Sequence, residues 1–441
     1  MAKEHSGDDY SLGRVPMEGR RPMWEVLVMR IGSLACVSQI MLGAALGYGM
    51  TFWGAFWATM LGSVLLQIVS YALGAAAAEE GLSISLLSRW AGFGKMGSSI
   101  IGGVIALSLM GWFGVQNSVF ADGLYKATGI FNMAVWSIIC GLGLTLLVVF
   151  GYKVLSITAN ISVPLFLLAI GIAAVHLLSG YNIGDLIHAE PAGPTLSLAA
   201  ATTMVAGGFM VGAIITPDVS RYMKSKKDVF WMTLIGTFVG ELGVNMLAVL
   251  MALAVRTSDI VNIMLDLAGW LGAAIVIFST IKLNDMNLYS SSLGATNMIN
   301  ALFNVKVNRV AATWGVGIIG TLLSVMGILD HFVGFLSLLG VAVPPVAGIM
   351  IVDYYLLRRD RQVLDETRAK GTLPSEVETW NPITIISWII GFLVGYFVTD
   401  VGIPALNSLI LGGLVYLILM KIYGAVTKQK TVQFSKTNQV L

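Results

Sequence analysis

Apolar runs of roughly 18 residues or more, the length a helix needs to cross a bilayer, follow one another along this chain with only short polar breaks between them. Of its 441 residues, 56% are apolar and 11% charged, less than half of the roughly 25% charge of an ordinary soluble domain. The unit to count is therefore the membrane span rather than the soluble domain. The 50 glycines and 22 methionines suit a helical membrane bundle, in which small residues let helices approach and methionine fills irregular gaps.

Setting the runs against the breaks predicts twelve helices, at 24–48, 52–78, 98–127, 132–150, 154–179, 196–222, 228–255, 268–300, 309–327, 331–357, 381–399 and 403–424. Several exceed the bilayer thickness and are expected to tilt or project beyond it. The polar stretches 79–95 and 358–380 are the principal loops. The amphipathic stretch that starts at Ser258 is expected to lie on the membrane surface between the seventh and eighth spans. Lysine and arginine decide the orientation. Apart from Arg30 and Lys282 within the spans, only Lys126 and Arg256 fall on one side, while the others, among them Arg20, Arg21, Lys224, Arg358 and Arg359, fall on the opposite side. Both termini are thus predicted to be cytoplasmic in a multi-pass protein of the cell membrane. The first 20 residues hold no apolar core or small-residue cleavage site, so the first span is expected to act as an uncleaved anchor.

Several function classes are excluded. A net charge of +2 gives no basic field of the kind that binds nucleic acid. Cys36 and Cys140 lie inside apolar segments and offer neither a disulfide framework nor metal spacing. With no Walker glycine loop, no metal-spaced His or Cys cluster and no nucleophile constellation, neither catalytic residues nor a resident metal or cofactor is expected. Beyond membrane lipids and a small substrate, no obligate protein partner is implied.

The first and sixth spans share an unusual feature. RIGSLACVSQIMLGAALG from Arg30 and MVAGGFMVGAIITPDVSRY from Met204 are each interrupted near the middle by small and polar residues. Glycine-interrupted spans at corresponding places in two halves point to an inverted-repeat transporter with broken helices. The other reading is that these glycines only permit close helix packing.

Polar residues inside the spans come next, because each is costly unless paired or facing a cavity. In the third span Trp112 and Gln116, at i and i+4, share one helix face. A ring beside an amide suits a flat heteroaromatic ligand, although an indole and an amide that only pack against a neighbouring helix fit the same pattern. Phe209 follows Gly207 and Gly208 at the proposed break of the sixth span, where its ring would close the other face of a sandwich. The eighth span, IFSTIKLNDMNLYSSSLGATNMI from Ile277, sets Lys282, Asn284, Asp285 and Asn287 close to its centre. Lys282 lies too deep to reach an interface comfortably. Burial disfavours its ammonium and a carboxylate such as Asp285 opposes that, so the residue reads as an internal cation or proton relay, or as half of a static ion pair. Glu241 in the seventh span is a second buried carboxylate, with Asn245 one turn later as its expected partner. Arg30 is placed near the cytoplasmic end of the first span, its head reaching the interface.

Four stretches carry a resemblance over nearly the whole chain: GWFGV at Gly111, GGFMVGAIITPDVSRYMK at Gly207, NDMNLYSSSLG at Asn284 and FVGFLSLLGVAVPPVAGIMIVDYYLLRR at Phe332. Together they resemble the nucleobase:cation symporters, the family of bacterial cytosine permeases and the hydantoin transporter. The resemblance implies an all-α membrane protein of twelve transmembrane helices. Two inverted repeats of five, 24–179 and 196–357, would form the core with broken helices 1 and 6. A cytoplasmic loop at 358–380, peripheral helices 11 and 12 at 381–424, and cytoplasmic tails at 1–23 and 425–441 complete the chain. The substrate, a small planar heterocycle, would sit at the midplane between helices 1, 3, 6 and 8.

Carried over by motif, Trp112 and Phe209 resemble the pair that sandwiches the base, Asn284 the helix 8 amide that bonds to it, and Gly208 the backbone offered at the helix 6 break. Gln116 matches the hydantoin transporter's glutamine, where cytosine permeases tend to carry a small residue. Ser38 and Gln39, just past the helix 1 break, add polar contacts. Sodium-coupled members hold the ion with helix 1 carbonyls, here near Gly32 and Ala35, and with helix 8 hydroxyls two and one residues before the asparagine, positions that here are Lys282 and Leu283. With those hydroxyls gone, the expectation is a sodium-independent transporter, coupled to protons through Lys282 with Asp285 beside it. A local bulge that brings Ser279 and Thr280 into the site would restore sodium. An amino-acid carrier of the same fold is the remaining transport reading, and the aromatic pair argues against it.

Overall fold

The helices follow the apolar runs and change course where small residues, proline or buried polar groups interrupt them. In the computed structural model of the protein, residue 10 and residues 13–34, 36–150, 168, 170–305 and 307–437 are described, with side chains described throughout except at 150, 260–278, 282, 285 and 426–437. The first span is two helices, α1 (Met23–Leu34) and α2 (Val37–Gly49), set 53° apart. Cys36 before α2 is extended, with φ −149° and ψ 166°, and its carbonyl accepts from the Gln39 amide, so α2 starts afresh instead of continuing α1. Next, α3 (Phe52–Glu80) begins under the Thr51 hydroxyl, which caps the Gly54 amide, and stops at Gly81, whose φ of 67° favours glycine. The helices α4 (Gly94–Thr128) and α5 (Met133–Phe150) follow. Of the fifth predicted span, residues 154–167 and 169 lie outside the described residues, and 170–178 are helical.

The sixth span corrects an expectation. Its first helix, α6 (Leu198–Ile214), runs unbroken through Gly207 and Gly208, and the interruption falls at Ile215, ahead of the short α7 (Thr216–Ser220) with Pro217 in its first turn. Gly207 serves packing instead: a β carbon there would run into the Leu336 carbonyl.

The seventh span joins α8 (Lys226–Thr237) to α9 (Val244–Val255) through a π-helical turn, Phe238–Gly243, in 30 residues. After it α10 (Ile260–Phe303) is one helix of 44 residues. The amphipathic stretch from Ser258 is therefore no separate surface element, because its residues lead directly into α10. Beyond lie α11 (Arg309–Val325), α12 (Phe332–Ala342) and α13 (Pro344–Ile351), the last restarting on a proline and ending in a second π turn, Val352–Leu357. The loop carries α14 (Arg361–Ala369), and α15 (Pro382–Phe397) and α16 (Pro404–Thr437) close the chain. Among the described residues, five helices are long and apolar enough to cross a membrane, a sixth if α1 and α2 form one span, with four shorter apolar helices besides.

Packing follows small residues. The α2 helix lies on α9, α3 on α6, α6 on α12, α4 along α10 and α5 on α11, while α16 packs against α13 and α15. Gly43 and Gly47, four apart on α2, face the α9 backbone at Asn245 and Val249 with room for no side chain, the close approach that paired glycines permit.

The basic loops gather at one end of the bundle. Glu80, buried where α3 ends, accepts Arg14 at 2.7 Å, Arg368 at 2.6 Å and the Tyr354 hydroxyl at 2.9 Å. Beside it Glu79 takes Lys226 at 2.8 Å and also Arg361, whose hydrogen bond to Glu79 pushes its guanidinium above the ordinary arginine value. The Arg21 amide donates to the Tyr222 carbonyl, and Lys95 to that of Glu378. At the opposite end Lys126 pairs with Asp122 and Asp259 at 2.8 and 2.7 Å.

Candidate functional site

The break in the first span opens onto a cavity of about 240 Å³. Its walls come from α1 (Met29, Arg30, Ser33), the break and α2 (Cys36, Ser38, Gln39), α4 (Leu109, Trp112, Gln116), α6 with the segment after it (Gly208, Phe209, Gly212, Asp218) and α10 (Leu283, Met286, Asn287). An apolar lining with a few convergent polar groups is what a small-molecule site needs.

Trp112 is held from behind. Its ring meets the edges of Phe335 and Phe332 from α12 at centroid distances of 5.3 and 6.2 Å, with planes at 78° and 73°. These T-shaped contacts fix the indole while it still lines the cavity. Phe209 sits on α6 with its ring over Gly212, where an added β carbon would come within 2.6 Å of the ring. The Arg30 guanidinium lies 4.9 Å from the Phe209 centroid. Two aromatic rings from different helices therefore wall one small space.

The amides are poised rather than satisfied. Gln116 is buried and its Oε1 has no hydrogen-bond partner among the described residues. Gln39 donates through Nε2 to Glu241 Oε2 at 3.3 Å, and its own Oε1 is likewise unpartnered. Buried polar atoms without partners are uncommon in folded proteins, and a bound polar ligand would supply them here. Ser38 lines the cavity and contacts the Cys36 sulfur at 3.1 Å.

Not every expected residue reaches the space. Asn284 is fully buried in α10 with both amide atoms unpartnered among the described residues, yet the cavity wall at this level is formed by Leu283 and Asn287. Gly208 does line the cavity, but within a regular helix, so no broken backbone is offered there. Gly32 is buried in α1 away from the wall, and Ser279 is buried in α10. Ala35 and the side chains of Lys282 and Asp285 lie outside the described residues.

Two expectations about charge are corrected. Arg30 does not reach an interface: it is 5% exposed and donates to Thr216 Oγ1 and Ser70 Oγ, each at 2.9 Å. It ties α1 to α7 and α3 in the wall of the cavity. Glu241 takes Gln39 as its partner instead of Asn245, whose side-chain atoms have no partner. The depth of Arg30, seven residues into an apolar run, was the available signal; an isolated deep charge belongs to a cavity or a partner.

The sequence matches, over residues 14–419, the family described as permease for cytosine/purines, uracil, thiamine, allantoin. This chain belongs to that family. It is similar to the cytosine permease of Escherichia coli K12, 28% identical over 413 residues that cover 93% of this chain and 94% of the relative. Among solved structures it resembles a nucleobase-cation-symport-1 family transporter in two states. The closed form with bromovinylhydantoin bound gives a TM-score of 0.73 at 19% identity, covering 94% of this chain and 96% of the other. The inward-facing form gives 0.77 at 18% identity, with 94% of each chain covered. At such identities the likeness speaks for the fold. As a permease of this family with this run of apolar helices, the protein is a multi-pass membrane protein.

Proposed function

We propose that this permease imports a nucleobase or a related planar heterocycle, such as cytosine, a purine, a hydantoin or a pyrimidine precursor, by alternating access. The observation that carries the reading is the cavity itself: Trp112 and Phe209 wall it from two helices, and Gln39 and Gln116 line it with unpartnered amide oxygens. Flat rings stack on aromatic faces, and amides recognise the edges of a base. Counterflow in reconstituted vesicles with a panel of labelled bases tests it. Competition by at least one base is expected, and competition by none removes the reading.

The architecture we infer is twelve spans, ten of them in two inverted repeats of five. Helix pairings support it. Exchanging each span for the one five places away turns the contact of spans 1 and 7 into that of spans 6 and 2, and both occur, as α2 on α9 and α6 on α3. The same exchange maps the pairs 3 with 8 and 4 with 9 onto themselves, and these occur as α4 on α10 and α5 on α11. The gathering of Arg14, Arg21, Lys226 and Arg368 at one end supports cytoplasmic termini in a cell membrane.

For coupling, the proposal is a sodium-independent, proton-driven cycle in which Lys282 replaces the sodium ion that hydroxyl ligands would hold. Hard cations need oxygen ligands, and a fixed ammonium repels a second cation. Uptake that collapses without sodium but survives a protonophore would sink this, and would return Ser279 and Thr280 to the role of sodium ligands.

A further inference from the structure

A carboxyl group stands in the membrane interior with no ion pair among the described residues. Glu241 is fully buried on the π turn between α8 and α9, and among the described residues its hydrogen-bond partner is Gln39, while its Oε1 has none. A π turn inserts one extra residue into a helix and is common at functional sites. This one abuts the break in the first span: Gly240 packs on Leu34, the last residue of α1, and Gly43 on the Asn245 backbone. Two irregular stretches of backbone thus meet where Gln39 leaves the break and enters the cavity wall.

We propose that Glu241 is a proton-binding site, and that Gln39 couples its occupancy to the substrate. The inference rests on the transport reading above and adds a site separate from Lys282. When Glu241 is ionised it can only accept, so the Gln39 amino group must donate to it and the Gln39 oxygen faces the cavity. When Glu241 carries a proton on one carboxyl oxygen, that O–H donates to the Gln39 oxygen, and the amide turns its N–H groups to the cavity. One proton bound or released therefore reverses the hydrogen-bonding sense of a residue in the cavity wall. A base that presents N–H groups is held best in one state, and a base that presents lone pairs in the other.

The groups set against Glu241 fit a site that exchanges its proton. From α1, Arg30 acts on it electrostatically without forming an ion pair; from the break, the Cys36 thiol lies nearby. On α3, the sequence places no titratable residue other than Tyr71 ahead of the glutamates at its end. The polar residues four positions away on its own span, Thr237 and Asn245, are neutral and have no hydrogen-bond partner for their side chains among the described residues.

Infrared difference spectroscopy on the reconstituted protein reads the carboxyl directly, without requiring transport. A protonated-carboxyl band is expected that titrates with pH, is absent in Glu241→Gln, and shifts when cytosine is added. In Gln39→Leu the band should remain and its shift with cytosine disappear. Proton-driven accumulation should fall at least tenfold in Glu241→Gln and recover in part in Glu241→Asp. A titrating band that persists in Glu241→Gln overturns the site, as does loss of the band on adding sodium at constant pH, which would make the carboxylate a metal-ion ligand. A band that titrates with Glu241 but moves with no base overturns the coupling through Gln39. The transport reading fails separately, when no base competes in counterflow.

Discussion

Gly212 is the residue through which the structure makes its sharpest demand on the site. The Phe209 ring lies over this glycine, and replacing it by alanine would put a β carbon 2.6 and 2.7 Å from two ring carbons. Restoring a van der Waals separation of about 3.5 Å moves the ring by roughly 1 Å, out of the plane in which it faces the cavity and Arg30. The ring end of a phenylalanine can swing, so the fold should survive. Alanine in place of a helical glycine contributes about 1 kcal/mol, and loss of the Arg30 contact costs a similar amount, about 0.5–2 kcal/mol. Thermal stability is therefore expected to stay within about 1 kcal/mol of the parent. Substrate affinity should not stay. An aromatic pairing contributes about 0.5–1.5 kcal/mol, so Gly212→Ala should weaken binding of the transported base by about 2- to 12-fold. The assay is quenching of tryptophan fluorescence by substrate, set beside a melting curve. Phe209→Ala completes a cycle: if Gly212 acts through the ring, the double variant should bind no worse than Phe209→Ala alone. Losses that add, or an affinity unchanged in Gly212→Ala, would refute the argument.

Trp112→Ala should reduce affinity by a similar 2- to 12-fold, whereas Trp112→Phe, which keeps a ring against Phe332 and Phe335, should lose less; competition in counterflow separates them. Glu80→Gln strips charge from a buried carboxylate shared by Arg14, Arg368 and Tyr354, and unfolding in detergent should show a loss of roughly 2–3 kcal/mol, at or just below the cost of breaking a buried pair because Arg368 is partly hydrated. Adding Arg14→Met to that variant should cost less than Arg14→Met alone. Gly207→Ala should sharply lower the yield of folded protein, since its β carbon meets the Leu336 backbone, while Gly208→Ala, whose β carbon meets only the end of Leu42 at 3.1 Å, should fold; size-exclusion profiles distinguish the two.

What could be read from the sequence follows what is local. Apolar runs located the helices, because the cost of leaving backbone unbonded in lipid makes run length nearly decisive. Phe209 stands out as a ring beside a proposed break, Trp112 and Gln116 as a ring and an amide sharing one helix face inside a span, and Ser38 and Gln39 through the family resemblance; the structure brings all five to one cavity. The break in the sixth span was misplaced because Gly207 looks the same whether it bends a helix or packs against one. Only the carbonyl of Leu336, distant in sequence, decides between these. Arg30 was missed for a related reason. Its partners Ser70 and Thr216 are unremarkable alone and become a cradle only when α3 and α7 close around it. Asn284 shows the converse: its motif pointed at the cavity, yet a helix turns 100° per residue, and small rotations decide whether 283 and 287 or 284 face inward.

We infer from its lining which side the cavity serves. Its wall runs from Trp112 and Phe209 through Arg30 to Met29, Asp218 and Val219, residues of α1 and α7 on the way to the outer ends of those helices. Those ends meet where Arg21 pairs with the backbone of Tyr222, among the basic loops, so the opening faces the end inferred to be cytoplasmic. Met29 stands at this mouth with 60% of its surface exposed, and Val28 beside it is 69% exposed without lining the cavity. A charged thiol reagent reacts in water and not in lipid, so Met29→Cys should be modified and Val28→Cys spared. Cys140 is buried away from the cavity, and Cys36, which lines it, is first replaced by serine to remove background. Modification of Met29→Cys should occur in inside-out vesicles, slow when a transported base is present, and fail in right-side-out vesicles. The opposite sidedness would mean that the cavity opens outward or that the chain is inserted the other way, and labelling the basic loop residue Lys224→Cys in the same vesicles separates these, because its side of the membrane does not depend on which gate is open.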